Sequence, residues 1–489
     1  MAQRRKPVVK ASPEHADREI ALRVVETRLA AEPGALALRL ERARLLTALG
    51  RNEEARLAYL AILDRFPHDA TALNDLGTLL YVTGARTAAR MAFAEAVSHH
   101  PDDPAGHVNL ADTFIFESRF ETARAHYEHA LRLQPDNAKA HQGLAYLFAE
   151  LGDEDAAQRH RDAGFAGRAV ITGAYRGVDP PVRVLQLTAA SGGNVATYPL
   201  LDDTVFATTT LVVEYLESNA PLPEHDVVFN AIGDADRCRR ALEAAQRLVR
   251  HSDAPVLNDP DAVLATGRVQ NAARLRALEG VVAPRMHAFR RGDFAGGAPS
   301  GFAYPFLLRA PGFHAGRYFV AVNDAAQLEA ALAEIPGDEL LAIEYLDARG
   351  EDGLSRKYRA IIVGETIYPL HLAIASEWKL HYMMARMAEH PERQAEEARF
   401  LDDLPAALGP RAAAALERIR RTLALDYGGM DFALDKNGNV LLFEANATMV
   451  VLRPEQHEAW AAYRRPAVER IMAAFREMLR AAARERRAG

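Results

Sequence analysis

Residues 67–100, PHDATALNDLGTLLYVTGARTAARMAFAEAVSHH, decide the N-terminal fold, because the chain around them repeats their pattern every 34 residues. Pro67, Pro101 and Pro135 recur at that interval. So do Ala55, Ala89, Ala123 and Ala157, and the aromatics Tyr59, Phe93 and Tyr127. Gly50, Gly84, Ser118 and Gly152 mark the bends between helices. Small residues at Ala43, Gly77, Ala111 and Ala145 let paired helices approach, while Leu76, Leu110 and Leu144 with Leu80, Phe114 and Phe148 supply a buried stripe. A unit this short cannot bury its apolar face alone, so a fixed period means stacked helical hairpins.

The pattern resembles tetratricopeptide repeats, whose period is about 34 residues of helix, turn and helix. It predicts an all-α repeat domain over residues 15–170, with four repeats at 36–170 and a capping helix at 15–32. The fourth unit decays, since Arg161 stands where an aromatic is expected. Such stacks usually receive a peptide or protein segment, so a protein partner is expected; dimerisation or bracing of the next domain is the alternative. His107 and His141, one period apart on the first helices of their repeats, are expected either in the binding groove or on the solvated surface.

Composition sets the wider frame. A net charge of −7 with basic residues scattered along the chain disfavours nucleic acid as a partner. The apolar runs fall far short of the roughly 20 residues a bilayer requires, so no membrane role is expected. MAQRRKPVVK lacks the apolar segment of a secretory signal. One cysteine, Cys238, permits no intrachain disulfide and no thiolate metal site, which fits the cytoplasm.

Beyond GVDPPVR, a proline-bearing linker, strands alternate with helices. VRVLQLTA and DVVFNAI read as buried strands, and TTLVVEYLE and RCRRALEAAQRLV as helices. APVLNDPDAVLATGR is a strand, a loop and a helix; YPFLLRAPGFHAGRYFVAVND is a strand, a glycine-bearing loop and a strand. LAIEYLD and KYRAIIVGETIYPLHLAI add three antiparallel strands, followed by a helix at PRAAAALERIRRTLAL. The region is an open α/β layer followed by an α+β part. Residues 428–449, GGMDFALDKNGNVLLFEANATM, read as a hairpin with a turn at KNGN. Glu444 and Asn446 share one face because strand side chains alternate. With Asp431 on that face, three oxygens converge in a set suited to Mg2+, which commonly shares its shell with water and phosphates. An ordinary hairpin with acidic residues at its rim fits the spacing equally.

Residues 182–480 resemble an ATP-grasp ligase, near the ribosomal-protein glutamate ligase and D-alanine ligase branches. Four landmarks carry the likeness: PVLNDPDAVLATGR, YPFLLRAPGFHAG, LAIEYLD, and GGMDFALD with FEAN, in which Glu444 lies thirteen residues beyond Asp431. The resemblance implies a pre-ATP-grasp α/β domain at 182–265 and an ATP-grasp α+β domain at 266–480. It implies Asp431, Glu444 and Asn446 as Mg2+ ligands bridging ATP phosphates. Arg268 and Arg309 fall where the family keeps phosphate-holding lysines; arginine retains the charge but is bulkier and more rigid. GFHAG matches the lid over the phosphates, which brings in His314 and Gly316. Glu344, Tyr345 and Leu346 match the adenine-reading hinge, and Glu351 is placed to reach the ribose. Arg359 matches a substrate-facing arginine. Lys379 and His381 are expected to share a strand face where relatives keep an arginine and an asparagine, and Arg453 is a further candidate for a substrate carboxylate. The implied activity is ATP-dependent, ADP-forming carboxylate–amine ligation through an acyl phosphate. Its substrate would be a peptide, protein or small-molecule carboxylate, brought by the repeats if macromolecular. A nucleotide-sensing scaffold without turnover and an ATP-grasp kinase remain the alternatives.

Overall fold

The computed structural model describes residues 13–217, 220–311, 317–454 and 459–488. They belong to two compact units: Met1–Leu185 with Leu201–Asp226, and Gln186–Leu200 with Val227–Gly489.

In the first unit α1 (Pro13–Ala31) precedes four helical pairs. These are α2 (Leu36–Ala48) with α3 (Asn52–Arg65), α4 (Ala70–Val82) with α5 (Arg86–His99), α6 (Pro104–Phe116) with α7 (Phe120–Leu133), and α8 (Ala138–Leu151) with α9 (Glu154–Phe165). The periodic positions do what the sequence predicts. Tyr59, Phe93 and Tyr127 are buried among the alanines. A Cβ on Gly77 would lie 2.4 Å from the Phe93 ring, so the helix approach requires glycine there. Each bend is left-handed, with φ of 71° at Gly50, 91° at Gly84, 56° at Ser118 and 85° at Gly152. The period also carries helix caps: Asp69, Asp103 and Asn137 each accept from the first turn of α4, α6 and α8. Arg161 fills the aromatic slot at 3% exposure and is held by Gln158 at 3.0 Å and by Glu154.

His107 takes neither expected place, whereas His141 is half-exposed on its helix. His107 is buried; its Nε2 donates to the Pro101 carbonyl at 2.9 Å and its Nδ1 meets His126 Nδ1 at 3.0 Å. One period on, His141 repeats both contacts with Pro135 and His160, at 3.0 and 2.8 Å. They are framework residues that lock one helix to the next.

The unit continues past the repeats. Of β1 (Val170–Thr172), β2 (Val182–Thr188) and β3 (Phe206–Val212), β1 and β3 pair antiparallel, and β2 runs from the first unit into the second. Tyr215 donates to Asp162 at 2.7 Å and Arg176 to the Thr47 carbonyl at 3.3 Å, fastening this stretch to the repeats. TTLVVEYLE is therefore not a helix. Its β-branched run forms β3 and then one 3-10 turn, Val213–Tyr215, because such side chains suit a pleated sheet better than a helix. The segment 182–265 is shared between the two units.

The second unit holds β4 (Val227–Asn230), α10 (Arg239–Val249), β5 (Val256–Leu257), α11 (Pro260–Leu264) and α12 (Arg268–Arg276). There follow β6 (Val281–Val282), β7 (Met286–Arg290), β8 (Phe306–Arg309), β9 (Phe319–Val322), α13 (Ala325–Glu334) and β10 (Glu339–Glu344). Then come β11 (Ser355–Val363), β12 (Thr366–Ala375), α14 (Pro391–Asp402), α15 (Leu404–Leu408) and α16 (Pro410–Leu423). β13 (Tyr427–Leu434), β14 (Val440–Asn446) and α17 (Arg465–Ala488) complete it. One antiparallel sheet has the order β7-β10-β8-β9 and a second sheet the order β12-β11-β13-β14-β6. Asn258 pins the NDP loop to the second sheet: its side chain exchanges both hydrogen bonds with the Tyr427 backbone, at 2.7 and 2.8 Å. That anchor sets where α12 begins relative to β13 and β14.

Candidate functional site

Strand register builds the site. His371 on β12 stands opposite Arg359 on β11, Arg359 opposite Asp431 on β13, and Asp431 opposite Glu444 on β14. Directly opposed residues share a face, so these four side chains form one row across four strands. Lys357, two residues before Arg359, joins the same face. Asn446, two beyond Glu444, does so too, and its Nδ2 donates to Glu444 at 3.0 Å. The hairpin thus brings Asp431, Glu444 and Asn446 together.

Their partners are cationic. Arg359 donates through Nε and Nη2 to the two oxygens of Asp431, at 2.6 and 2.7 Å, and Lys357 Nζ lies 3.2 Å from the same carboxylate. Burial opposes ionisation of Asp431, but the charges of Arg359 and Lys357 outweigh it and hold the pKa well below the usual range. Arg268, the first residue of α12, donates Nη2 to Glu444 at 3.0 Å, and its backbone N–H donates to Asp236 at 3.0 Å. Arg309 ends β8 of the other sheet. Burial and the neighbouring charge of Arg268 pull its pKa down to about 10, against Glu444, Asp234 and Asp236, so it stays protonated at neutral pH. Beside this cluster a concavity is lined by Met286, Leu275, Leu442, Asn271 and Arg268, with Asp234 and Asp236 at its polar side.

The remaining predicted residues divide. Burial lowers the pKa of His381, and the charges of Lys357 and Arg359 lower it further, which places it at the edge of the cluster. Lys379 does not share a strand face with it. β12 ends at Ala375, and Lys379 instead donates to the Phe319 carbonyl on β9 at 3.1 Å. Arg453 is tied to Glu469 of α17 at 2.5 Å. Glu344 is held by Arg276 at 2.6 Å and by the Arg285 N–H at 2.9 Å, while its own N–H bonds the Arg285 carbonyl. Tyr345 and Leu346 follow it half-buried, and Glu351 is exposed in a turn. His314 and Gly316 lie outside the described residues.

Two residues of this face escaped the sequence reading. Lys357 carried a signal, since it stands two residues before Arg359 in SRKYRAIIV. His371 interrupts the apolar run of β12; it is buried and held neutral, chiefly by burial and then by the charges of Arg359 and Arg464.

The chain's N-terminal region is a run of tetratricopeptide repeats joined to a mixed α/β region. Tetratricopeptide repeat sequence models match residues 14–70, 40–105, 105–137 and 126–159. Among solved structures, a MamA double mutant is 20% identical over 31% of this chain and 85% of its own, with a TM-score of 0.28. MamA from Desulfovibrio magneticus RS-1 is 21% identical over 29% and 81%, with a TM-score of 0.27. A tetratricopeptide repeat protein from Parabacteroides merdae is 17% identical over 31% and 60%, with a TM-score of 0.28. Among curated proteins none matches. Among the described residues no helix is long and apolar enough to cross a membrane.

Proposed function

We propose that the α/β region binds a nucleoside triphosphate and uses it to join a carboxylate to an amine, in the manner of an ATP-grasp ligase, with the repeats engaging a peptide or protein. The observation that supports this most is the charge balance of the cluster. Asp431 is paired with Arg359 and Lys357, Glu444 faces Arg268, and Arg309 stands near Glu444, Asp234 and Asp236, so guanidinium groups that suit phosphate oxygens lie beside carboxylates that suit a cation. The adjoining concavity, whose lining mixes Leu275, Met286 and Leu442 with Asn271, Asp234 and Asp236, is taken as the nucleobase site in this reading.

Mg2+ fits the donor set. Two carboxylates and an amide lie on one face of a hairpin, and Glu444 and Asn446 would hold the ion directly. Asp431 would join once Arg359 turned toward phosphate. The ion's contribution when bound is to neutralise phosphate oxygens. In the proposed reaction a substrate carboxylate oxygen attacks the γ-phosphorus, the bond to the bridging β–γ oxygen breaks, and ADP leaves. The amine then attacks the acyl carbon, phosphate departs, and the nitrogen gives up a proton. Arg268 and Arg309 hold phosphate charge, and Arg359 is placed to bind oxygens that gain charge. His381, whose pKa burial and the charges of Lys357 and Arg359 lower, would take the amine's proton.

A second reading has its own support. The bidentate Arg359–Asp431 pair and arginines at both phosphate positions suit a scaffold that senses nucleotide without turnover. ADP release by full-length protein supplied with MgATP, carboxylates and amines separates the two. Turnover lost in Glu444→Gln supports the ligase, whereas tight MgATP binding without ADP release under any substrate pair supports the sensor. Absence of MgATP binding overturns both.

A further inference from the structure

We infer that His68, Glu95 and His99 form a binding site for a divalent transition-metal ion of the Zn2+ class on the surface of the second repeat. Glu95 and His99 stand four residues apart on α5, so their side chains share one face of that helix. His68 approaches from the turn between α3 and α4. Glu95 Oε1 lies 3.1 Å from His99 Nε2 and 3.5 Å from His68 Nδ1. The three donor atoms lie within 4.8 Å of one another. Tetrahedral Zn2+ with nitrogen and oxygen ligands at its usual bond lengths sets donors about 3.3–3.5 Å apart, so small side-chain adjustments suffice for all three to bind one ion. The two imidazoles are stacked, with centroids 3.6 Å apart at 24°, which holds their nitrogens on the same side of Glu95. His100 Nε2 bonds the His68 carbonyl and fixes the turn that carries it. All three side chains are exposed, so an ion would keep an open position for water or another ligand.

The repeat fold does not require this set. One period earlier the same positions hold Gly34, Ala61 and Arg65, and one period later Asp102, His129 and Leu133. The contrast with the other histidines is informative. In the His107–His126 and His141–His160 contacts the pattern recurs with the period, and both nitrogens of His107 and of His141 are engaged within the protein. At His68 and His99 the nitrogens named above face a carboxylate. An exposed carboxylate beside histidines is otherwise a weak surface pair that contributes little to folding.

The test is calorimetric titration of untagged, chelator-stripped full-length protein with ZnCl2, repeated with CoCl2 so that ligand-field absorption reports the geometry. One equivalent should bind to the wild type. His99→Ala and Glu95→Gln should each weaken that event by at least tenfold, whereas His126→Gln should leave it in place. These ligand positions are exposed, so the variants should keep the wild-type circular dichroism. The proposal is overturned if Zn2+ does not bind, if binding survives both ligand substitutions, or if His126→Gln removes it equally.

Discussion

Polar contacts in the repeats and in the α/β sheets obey different rules. In the repeats they come in copies: the His107–Pro101 and His107–His126 contacts reappear as His141–Pro135 and His141–His160, at the same spacing as the caps Asp69, Asp103 and Asn137. A contact that repeats with the fold is explained by the fold. The row His371, Arg359, Asp431 and Glu444 occurs once and crosses four strands. It gathers charge in a low-dielectric place that an apolar row would fill without a desolvation penalty. No period of the fold accounts for the row, so the proposed chemistry is tested there first.

The largest effect that would break the contrast is removal of one charge from the row. Asp431→Asn leaves Arg359 and Lys357 without their counter-charge in a buried setting, and should lower stability by about 3–5 kcal/mol in urea unfolding. It should also abolish any ATP turnover. The triple variant Lys357→Met, Arg359→Met and Asp431→Leu, which removes both cations together with the carboxylate, should recover a large part of that stability without recovering turnover. If the triple variant is no more stable than Asp431→Asn, the row is structural after all and resembles the histidine contacts of the repeats.

Phosphate-facing cations come next. Arg268→Ala and Arg309→Ala should each weaken MgATP binding by roughly 10- to 100-fold, the loss of one charge-assisted contact worth about 1.5–3 kcal/mol. Calorimetry on folded variants decides it, and equal affinity would show that neither guanidinium meets phosphate.

His371 gives a pH-dependent form of the same comparison. Its folded pKa lies well below the ordinary 6.5, so below about pH 6.5 the unfolded chain binds a proton that the folded chain refuses. Its contribution is complete above that pH and is lost as pH falls, by about 1.4 kcal/mol per pH unit until the folded ring itself titrates. His107, His126 and His160 are shifted in the same direction, chiefly by burial, so the readout is a difference. His371→Gln should flatten the stability profile between about pH 6 and 5, and an unchanged slope would mean that the ring is not held neutral.

What the sequence disclosed follows the same division. The repeat was legible because each position is written several times, so one substitution such as Arg161 does not hide it. The hairpin was legible because alternation fixes which side chains share a face. The Arg359–Asp431 pair was not, since it joins residues 72 apart through a strand register that no local pattern states. TTLVVEYLE misled because an apolar run of that length suits a helix or a strand, and its β-branched residues decided for the strand. Lys379 was read from its place in SEWKLHY and Arg453 from its place just past the hairpin; their contacts with Phe319 and Glu469, on other elements, are long-range and no local pattern states them.

The smallest effect probes the repeat bends. Gly50, Gly84 and Gly152 adopt positive φ, which glycine does without steric strain, but Ser118 holds a φ of 56° where a Cβ meets the backbone. Ser118→Gly should therefore stabilise the protein, by about 0.5–1 kcal/mol, because relief of that strain exceeds the added flexibility of the unfolded chain. Gly84→Ser should do the reverse by a similar amount, since nothing lies within 4 Å of a Cβ built there and the backbone alone is at issue. Both are read as midpoint shifts in urea at constant slope. Equal and opposite shifts would show that the four bends are physically interchangeable, as the period implies. A Ser118→Gly variant that loses stability would instead give that one bend a role outside the period, and would move it from the class of the histidine contacts to the class of the charged row.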